Sequence, residues 1–213
     1  MQNPEAENIE GIQRGDRSVM EKVYEMYRRK MYGICYRYTN SKEEAADYLH
    51  DGFLKVFTEF GKFNPAAPLE AWIATVIRNN TINQIRKKMR TSETNFEDDT
   101  YVNTAEEVSS EDIDDNEQDQ WMKRISSEEV LYYMSLLPQK YNLILNMFAI
   151  DGMTHHEIAV HTGMSEGTSK SQLSRARVKL IQMIRIDLQK KSVVKQNKPQ
   201  RPQNNAVHYE QVR

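Results

Sequence analysis

The chain has 213 residues, of which 38% are hydrophobic and 28% charged, enough for one large domain or two small ones but a polar composition for a single large core. No apolar run approaches the ~18 residues of a bilayer span, and the opening MQNPEAENIE lacks the apolar stretch of a secretory signal, so a chain without membrane insertion is expected. The formal charge of -2 hides a strong division: residues 1–90 carry 15 Lys/Arg against 12 Asp/Glu, residues 91–125 carry 2 against 12, and residues 126–213 carry 12 against 7.

Residues 1–9 read as an extension ahead of a first domain at 10–90. Between Asp16 and Tyr38, the residues Val19, Val23, Met26, Tyr27, Met31, Ile34, Cys35 and Tyr38 recur at helical spacing, and the helix is expected to stop at Thr39–Asn40. Cys35 falls on the apolar face, the place of a small core residue rather than of a reactive thiol. It is the only cysteine, so no internal disulfide forms and a reducing cytoplasm is the expected compartment. Ser41 followed by Glu44 is a capping-box pattern opening a second helix. Its buried stripe is Ala45, Leu49, Phe53, Val56 and Phe60, which leaves Asp47, His50, Asp51, Leu54 and Thr58 on the opposite side. A leucine among those polar residues is either part of a partner surface or an incidental exposed side chain.

In GKFNPAAPLEAW, Asn64 and two prolines make a loop, and Pro68 is placed to begin a third helix at Leu69. Leu69, Trp72, Ile73 and Val76 share a face, and cations follow at Arg78, Arg86, Lys87, Lys88 and Arg90. A charge run is usually a solvated face. Beside an aromatic, Asn79, Asn80 and a proline-bounded loop, it suits phosphate contacts and base stacking. The acidic stretch at 91–125 has no helical or alternating period and reads as a flexible linker between two small domains.

The second domain is expected at 126–187. Val130, Leu131, Met134 and Leu137, then Leu143, Ile144, Met147 and Phe148, predict two helices broken at Pro138, the second ending at Asp151-Gly152. The following MTHHEIAVHTGMSEGTSKSQLSRARVKLIQMI has the anatomy of a helix-turn-helix: a Thr154/Glu157 capping box, Ile158 and Ala159 inward, Gly163 at the turn and Ser165 as the next cap. In the last helix Leu173, Ala176, Leu180 and Ile184 face inward. Thr168, Lys170, Ser171, Gln172, Ser174, Arg175, Arg177 and Lys179 face out. Hydroxyls, an amide and cations near a helix start suit the DNA major groove. A solvated amphipathic helix is the alternative, disfavoured by the turn glycine and by Glu166 being the only acid nearby. Residues 188–213, rich in Asn, Gln and Pro towards the end, read as a disordered tail.

Two false catalytic trails are set aside. His156 and His161 resemble a zinc-protease pair but stand five apart, ~140° around a helix, too far to share a metal. The aspartates Asp98, Asp99, Asp112, Asp114 and Asp115 lack calcium-loop spacing. No catalytic constellation is present, so no enzyme activity, metal or cofactor is expected.

Three segments in order, DYLHDGFLKVF at 47–57, LEAWIATVIRNNTINQIRKK at 69–88 and MTHHEIAVHTGMSEGTSKSQLSRARVKL at 153–180, together resemble the extracytoplasmic function (ECF, group 4) RNA polymerase sigma factors of the sigma-70 family. The resemblance implies an all-α protein of two helical domains, region 2 at 10–90 and region 4 at 126–187. The implied activity is direction of core RNA polymerase to -35 and -10 promoter elements. By this resemblance Asp47, His50, Asp51 and Leu54 dock on the clamp of the beta-prime subunit. Asn64, Arg78, Asn79, Asn80, Arg86 and Lys87 hold the -10 element, Asn79 as a base contact and the cations on phosphates. Thr168, Lys170, Ser171, Gln172, Ser174 and Arg175 read the -35 element. An anti-sigma factor that restrains the protein is also implied. Departures from the family pattern are His50 for Gln, Asn83 for Asp, Leu69 for an aromatic, and Ser169 for Val, the last expected to loosen the recognition helix. Elements ~25 bp apart lie ~85 Å apart, within the ~115 Å reach of the extended linker. That linker serves either as an RNA mimic in the polymerase exit path or as a plain spacer. The rivals are a helix-turn-helix regulator acting without polymerase and an interaction adaptor.

Overall fold

A computed structural model describes residues 4–39, 41–91 and 125–196; most of the acidic linker, and the expected tail beyond residue 196, lie outside the described residues. Every regular element among the described residues is helical: α1 Pro4–Gln13, α2 Arg17–Thr39, α3 Lys42–Thr58, a 3-10 turn Phe60–Lys62, α4 Leu69–Thr91, α5 Ser127–Ser135, α6 Gln139–Leu145 with a π turn Asn146–Ile150, α7 His155–Thr162 and α8 Glu166–Gln196. The fold class is therefore the all-α one expected.

The first domain is built on α2, α3 and α4. Val23, Met31 and Cys35 from α2, Ala45, Leu49, Phe53 and Val56 from α3, and Leu69, Ile73 and Ile77 from α4 form one buried cluster. Gly52 allows α3 and α4 to cross closely, since a Cβ there would lie 2.9 Å from Ile77 Cγ1. Trp72 sits edge-on to Phe60 and Phe63, at 5.5 and 5.4 Å between ring centres, and serves the core margin as its position on the apolar face implies. The Ser41 hydroxyl accepts from the Glu44 backbone N–H at 3.2 Å. The reciprocal half of the expected box is replaced by a bond from Ser41 to Glu43.

Within the stretch read as an N-terminal extension, residues 4–9 are helical and packed. Helix α1 starts at Pro4, Ile9 and Ile12 pack on the first core, and Glu5 Oε1 accepts from the Leu69 backbone N–H at 2.7 Å. A carboxylate from the start of the chain thus caps α4, where free N–H groups and the helix dipole favour an anion.

In the second domain Met134, Leu137, Tyr141, Ile144 and Leu145 from α5, α6 and their junction bury against Leu173 and Ala176 of α8. Full capping boxes open α5 (Ser126 with Glu129) and α7 (Thr154 with Glu157). Gly163 ends α7 at φ +80°, the left-handed conformation that glycine adopts without a Cβ clash. Ser165 Oγ accepts from the Thr168 N–H at 3.0 Å to start α8. That helix continues to Gln196, so the disordered tail expected from 188 does not begin there.

A third cluster joins the halves: Tyr38, Ile82, Ile85 and Met89 of the first domain bury with Leu143, Met147 and Ile158 of the second. Burying a large aliphatic side chain is worth ~1.5–3 kcal/mol, whereas an exposed ion pair such as Lys88–Glu44 within the first domain contributes ~0–1 kcal/mol. The seam therefore contributes more to holding the halves together than an exposed ion pair of that kind would.

Candidate polymerase and nucleic-acid interfaces

Three surfaces carry the residues singled out in the sequence. On α3, Asp47, His50 and Leu54 are exposed, Leu54 at 52%. Asp51 is half-buried and its Oδ2 accepts from Gln84 Nε2 at 3.0 Å, which ties this face to α4. The opposite stripe, Ala45, Leu49, Phe53 and Val56, is core. The four residues therefore form one outward ridge that ends in a solvated leucine, one turn beyond Asp51.

The residues of the loop and α4 divide. Asn64 is exposed and its side chain is spent on the turn, Oδ1 accepting from the Ala66 N–H at 3.0 Å. Lys87 is exposed. Arg78, Asn79 and Arg86 are half-buried at the seam: Arg78 NH1 lies 3.7 Å from Asp151 Oδ1, and Arg86 NH1 donates to the His161 carbonyl at 3.0 Å. Arg78 Nε and Asn79 Oδ1 are buried with no hydrogen-bond partner. Asn80 corrects the expectation of a DNA contact. It is 1% exposed and its Nδ2 donates to the Tyr48 carbonyl at 3.3 Å, a position that holds α4 against α3.

On α8, Lys170, Ser171, Ser174 and Arg175 are exposed and Thr168 is half-buried. Gln172 is the second correction: at 2% exposure it lies with Ser169, Leu173 and Ala176 on the buried side, where steps of three and four residues fall on one face. Ser169, expected to loosen the helix slightly, is fully buried with its hydroxyl partnered. Its hydroxyl is 3.0 Å from His155 Nδ1, and that imidazole stacks on Phe148 at 5.0 Å, with Arg177 5.4 Å from the same ring. The buried hydroxyl is thus partnered across the packing of the α7 start on α8.

Of the remaining candidates, Cys35 is fully buried beside Thr81, and burial pushes its thiol up to about 11, so it carries little thiolate at neutral pH. His156 pairs with Glu166 at 2.9 Å. Among the described residues no three His, Cys, Asp or Glu side chains are grouped to hold a metal, and no helix is long and apolar enough to cross a membrane.

The Sigma-70 region 2 family model matches residues 23–91, and the Sigma-70, region 4 model matches residues 127–180. These two matches take in more than half of the chain and coincide with its two cores. They define a two-domain transcription initiation protein in which the helix-turn-helix is region 4. The chain is similar to the ECF RNA polymerase sigma factor SigW of Bacillus subtilis (strain 168), 24% identical over 186 residues, 83% of this chain and 95% of the relative. It is likewise similar to the RNA polymerase sigma-H factor of Pseudomonas aeruginosa, 23% identical over 187 residues, 83% of this chain and 91% of the relative. Among solved structures, the sigma factor RpoE in complex with the anti-sigma factor NepR from Bartonella quintana matches 78% of this chain and 97% of its own at 19% identity, with a TM-score of 0.45. The chain belongs to the sigma-70 family, in its ECF group, and is a promoter-recognition sigma factor for RNA polymerase.

Proposed function

We propose that the three surfaces divide the work of initiation. The α3 ridge, with Asp47, His50, Asp51 and Leu54, docks on the clamp of the beta-prime subunit of core polymerase. The loop at Asn64 and the α4 residues Arg78, Asn79, Arg86 and Lys87 capture the -10 element. The α8 face, with Thr168, Lys170, Ser171, Ser174 and Arg175, lies in the major groove at the -35 element. Asn80 and Gln172 drop out of these sets, because a buried side chain in a domain core cannot reach a base edge. The protein contributes positioning rather than bond chemistry: phosphate contacts fix register, base contacts select, and holding an extruded base offsets part of the cost of local melting. The reading places the protein in the cytoplasm with the polymerase, with an anti-sigma factor as its restraint and the acidic linker as an RNA mimic in the exit path.

The observation that carries this reading is the phase of α8. Ser169, Leu173 and Ala176 are locked inside, and Lys170, Ser171, Ser174 and Arg175 all point to solvent, just after a capped N-terminus suited to phosphate. The test is association with core polymerase, and run-off transcription, after reversing charge at Asp47 and Asp51. Loss of polymerase binding with promoter duplex binding retained is expected. Equal loss of both would overturn the division of surfaces.

A further inference from the structure

Helix α8 is tied to the start of α7 by one buried polar contact. Hydroxyls inside helices commonly bond back to a carbonyl of the preceding turn, and Thr162 and Ser171 do so, to Ile158 at 2.6 Å and to Thr168 at 3.0 Å. Ser169 reaches across instead. It is 0% exposed, and its Oγ lies 3.0 Å from Nδ1 of His155, the first residue of α7. The Thr154/Glu157 capping box fixes the turn that presents this imidazole. A hydroxyl can donate or accept, so the pair closes in either tautomer of the ring. The neighbouring tie between the two helices, His156 with Glu166, has side chains 74% and 49% exposed, and an ion pair in that setting adds little.

A second grip lies eight residues further along α8. His155 stacks on Phe148 with ring centres 5.0 Å apart, and the Arg177 guanidinium is 5.4 Å from the centre of the same ring, within cation–π reach. Phe148 is a firm support, because it sits in the π turn and packs on both the seam cluster and the second-domain core. The approach to that turn is anchored on the end of α2. Gln139 Nε2 donates to the Tyr38 carbonyl at 2.6 Å, and Asn142 and Asn146 both donate to the Arg37 carbonyl, at 3.0 and 3.1 Å. Ser169, His155, Phe148 and Arg177 thus form one run of contacts that touches α8 at two points about 12 Å apart along its axis. The exposed residues Lys170, Ser171, Ser174 and Arg175 lie between those points. Apolar packing at Leu173 and Ala176 holds α8 to its domain but is non-directional. The hydrogen bond and the ring stack have preferred geometries, so they fix the roll of the helix about its own axis.

Resting on the functional reading above, we infer that His155 is a positioning residue for promoter discrimination: through Ser169 and Phe148 it sets the roll of α8, and with it which base edges Lys170, Ser171, Ser174 and Arg175 reach. It acts through α8 rather than by touching a base. A hydrogen bond to a base edge weakens steeply as its angle opens, whereas charge attraction to phosphate is independent of sequence. Losing the bond therefore costs discrimination between bases and leaves the electrostatic part of binding in place.

The test uses the full chain on core RNA polymerase and a promoter whose -35 element the parent protein selects from a randomised library. Run-off transcription gives the ratio of output from that promoter to output from its single-base -35 substitutions. Duplex binding at several salt concentrations gives the salt slope, and circular dichroism checks the fold. Ser169→Val and Ser169→Thr add the same bulk and differ in the hydroxyl, so their comparison isolates the bond. Ser169→Val is expected to lower the ratio about two- to tenfold, the scale of one hydrogen bond, with the salt slope unchanged, while Ser169→Thr keeps the parent ratio. Ser169→Ala, which adds no bulk, should show the same loss as Ser169→Val, and so should His155→Phe, which retains a ring to stack on Phe148. The double variant His155→Phe with Ser169→Ala should lose no more than either alone. Equal ratios for Ser169→Val and Ser169→Thr, or a parent ratio for Ser169→Ala, would overturn the role of the bond. Additive losses in the double variant, or a salt slope that falls with the ratio, would show His155 contacting DNA directly and overturn its action through α8. Lys170→Ala with Arg175→Ala tests the underlying reading separately: if that variant keeps both ratio and slope, α8 does not read the -35 element, and this inference falls with that assignment.

Discussion

The two helices proposed to meet DNA are supported in opposite ways. Helix α8 is gripped from behind by Ser169, Gln172, Leu173 and Ala176 and leaves its front bare. Helix α4 is gripped from behind by Leu69, Ile73 and Ile77 in the first core and covered in front by α7. One reading surface is therefore complete in the domain that carries it, while the other depends on where the second domain sits. The difference shows that helix phase alone settles which side of α8 is exposed, whereas the exposure of α4 also depends on a neighbouring domain.

The largest expected effect isolates the grip on α8. Leu173→Ala removes a side chain 3% exposed and should destabilise the second domain by ~2–5 kcal/mol, read as loss of its unfolding transition with the first domain's retained. Loss of both transitions together would mean that the seam makes the halves one cooperative unit. A smaller effect sharpens the contrast directly. Lys170→Ala with Arg175→Ala should weaken promoter duplex binding by the free chain by ~1–3 kcal/mol per lost base contact and flatten its salt dependence. Asn79→Ala should leave that assay unchanged. The smallest concerns the cap supplied from α1. Glu5→Gln should cost about 1 kcal/mol of first-domain stability, measured by chemical denaturation at low and high salt, with the difference shrinking as salt rises.

Much of this architecture is legible in the chain because it is local. The helix starts at Ser41, Thr154 and Ser165, the stops at Asp151-Gly152 and Gly163, and the core role of Cys35 follow from capping chemistry and helical period. The Ser126/Glu129 box carries the same signal and was readable by the same rule. Gln172 was misplaced because an amide at the border of an apolar stripe reads as polar, although its spacing from Ser169 and Ala176 puts it inside. Asn80 was misplaced because the adjacent Asn79 and the following cations made the pair look like one surface. The seam was illegible for a different reason. Ile82, Ile85 and Met89 do continue the apolar period of α4, but interleaved cations mask it, and nothing in one dimension pairs them with Leu143 and Met147 more than fifty positions away. Asp151 looked like a helix terminator because its partners, Arg37, Tyr38 and Arg78, are distant in sequence. The α1 helix was passed over because two isoleucines in a short acidic stretch are a weak period, and its anchor, Glu5 on Leu69, is again long-range.

The amide row Gln139, Asn142 and Asn146 has a consequence for the helix it serves. Because it closes the terminal carbonyls of α2 from outside, the final turn of that helix borrows its integrity from the other half of the chain. When the loan is withdrawn, those carbonyls turn to water and the turn frays. The length of α2, followed through amide exchange at its last residues, thereby becomes a built-in gauge of whether the two halves are in contact.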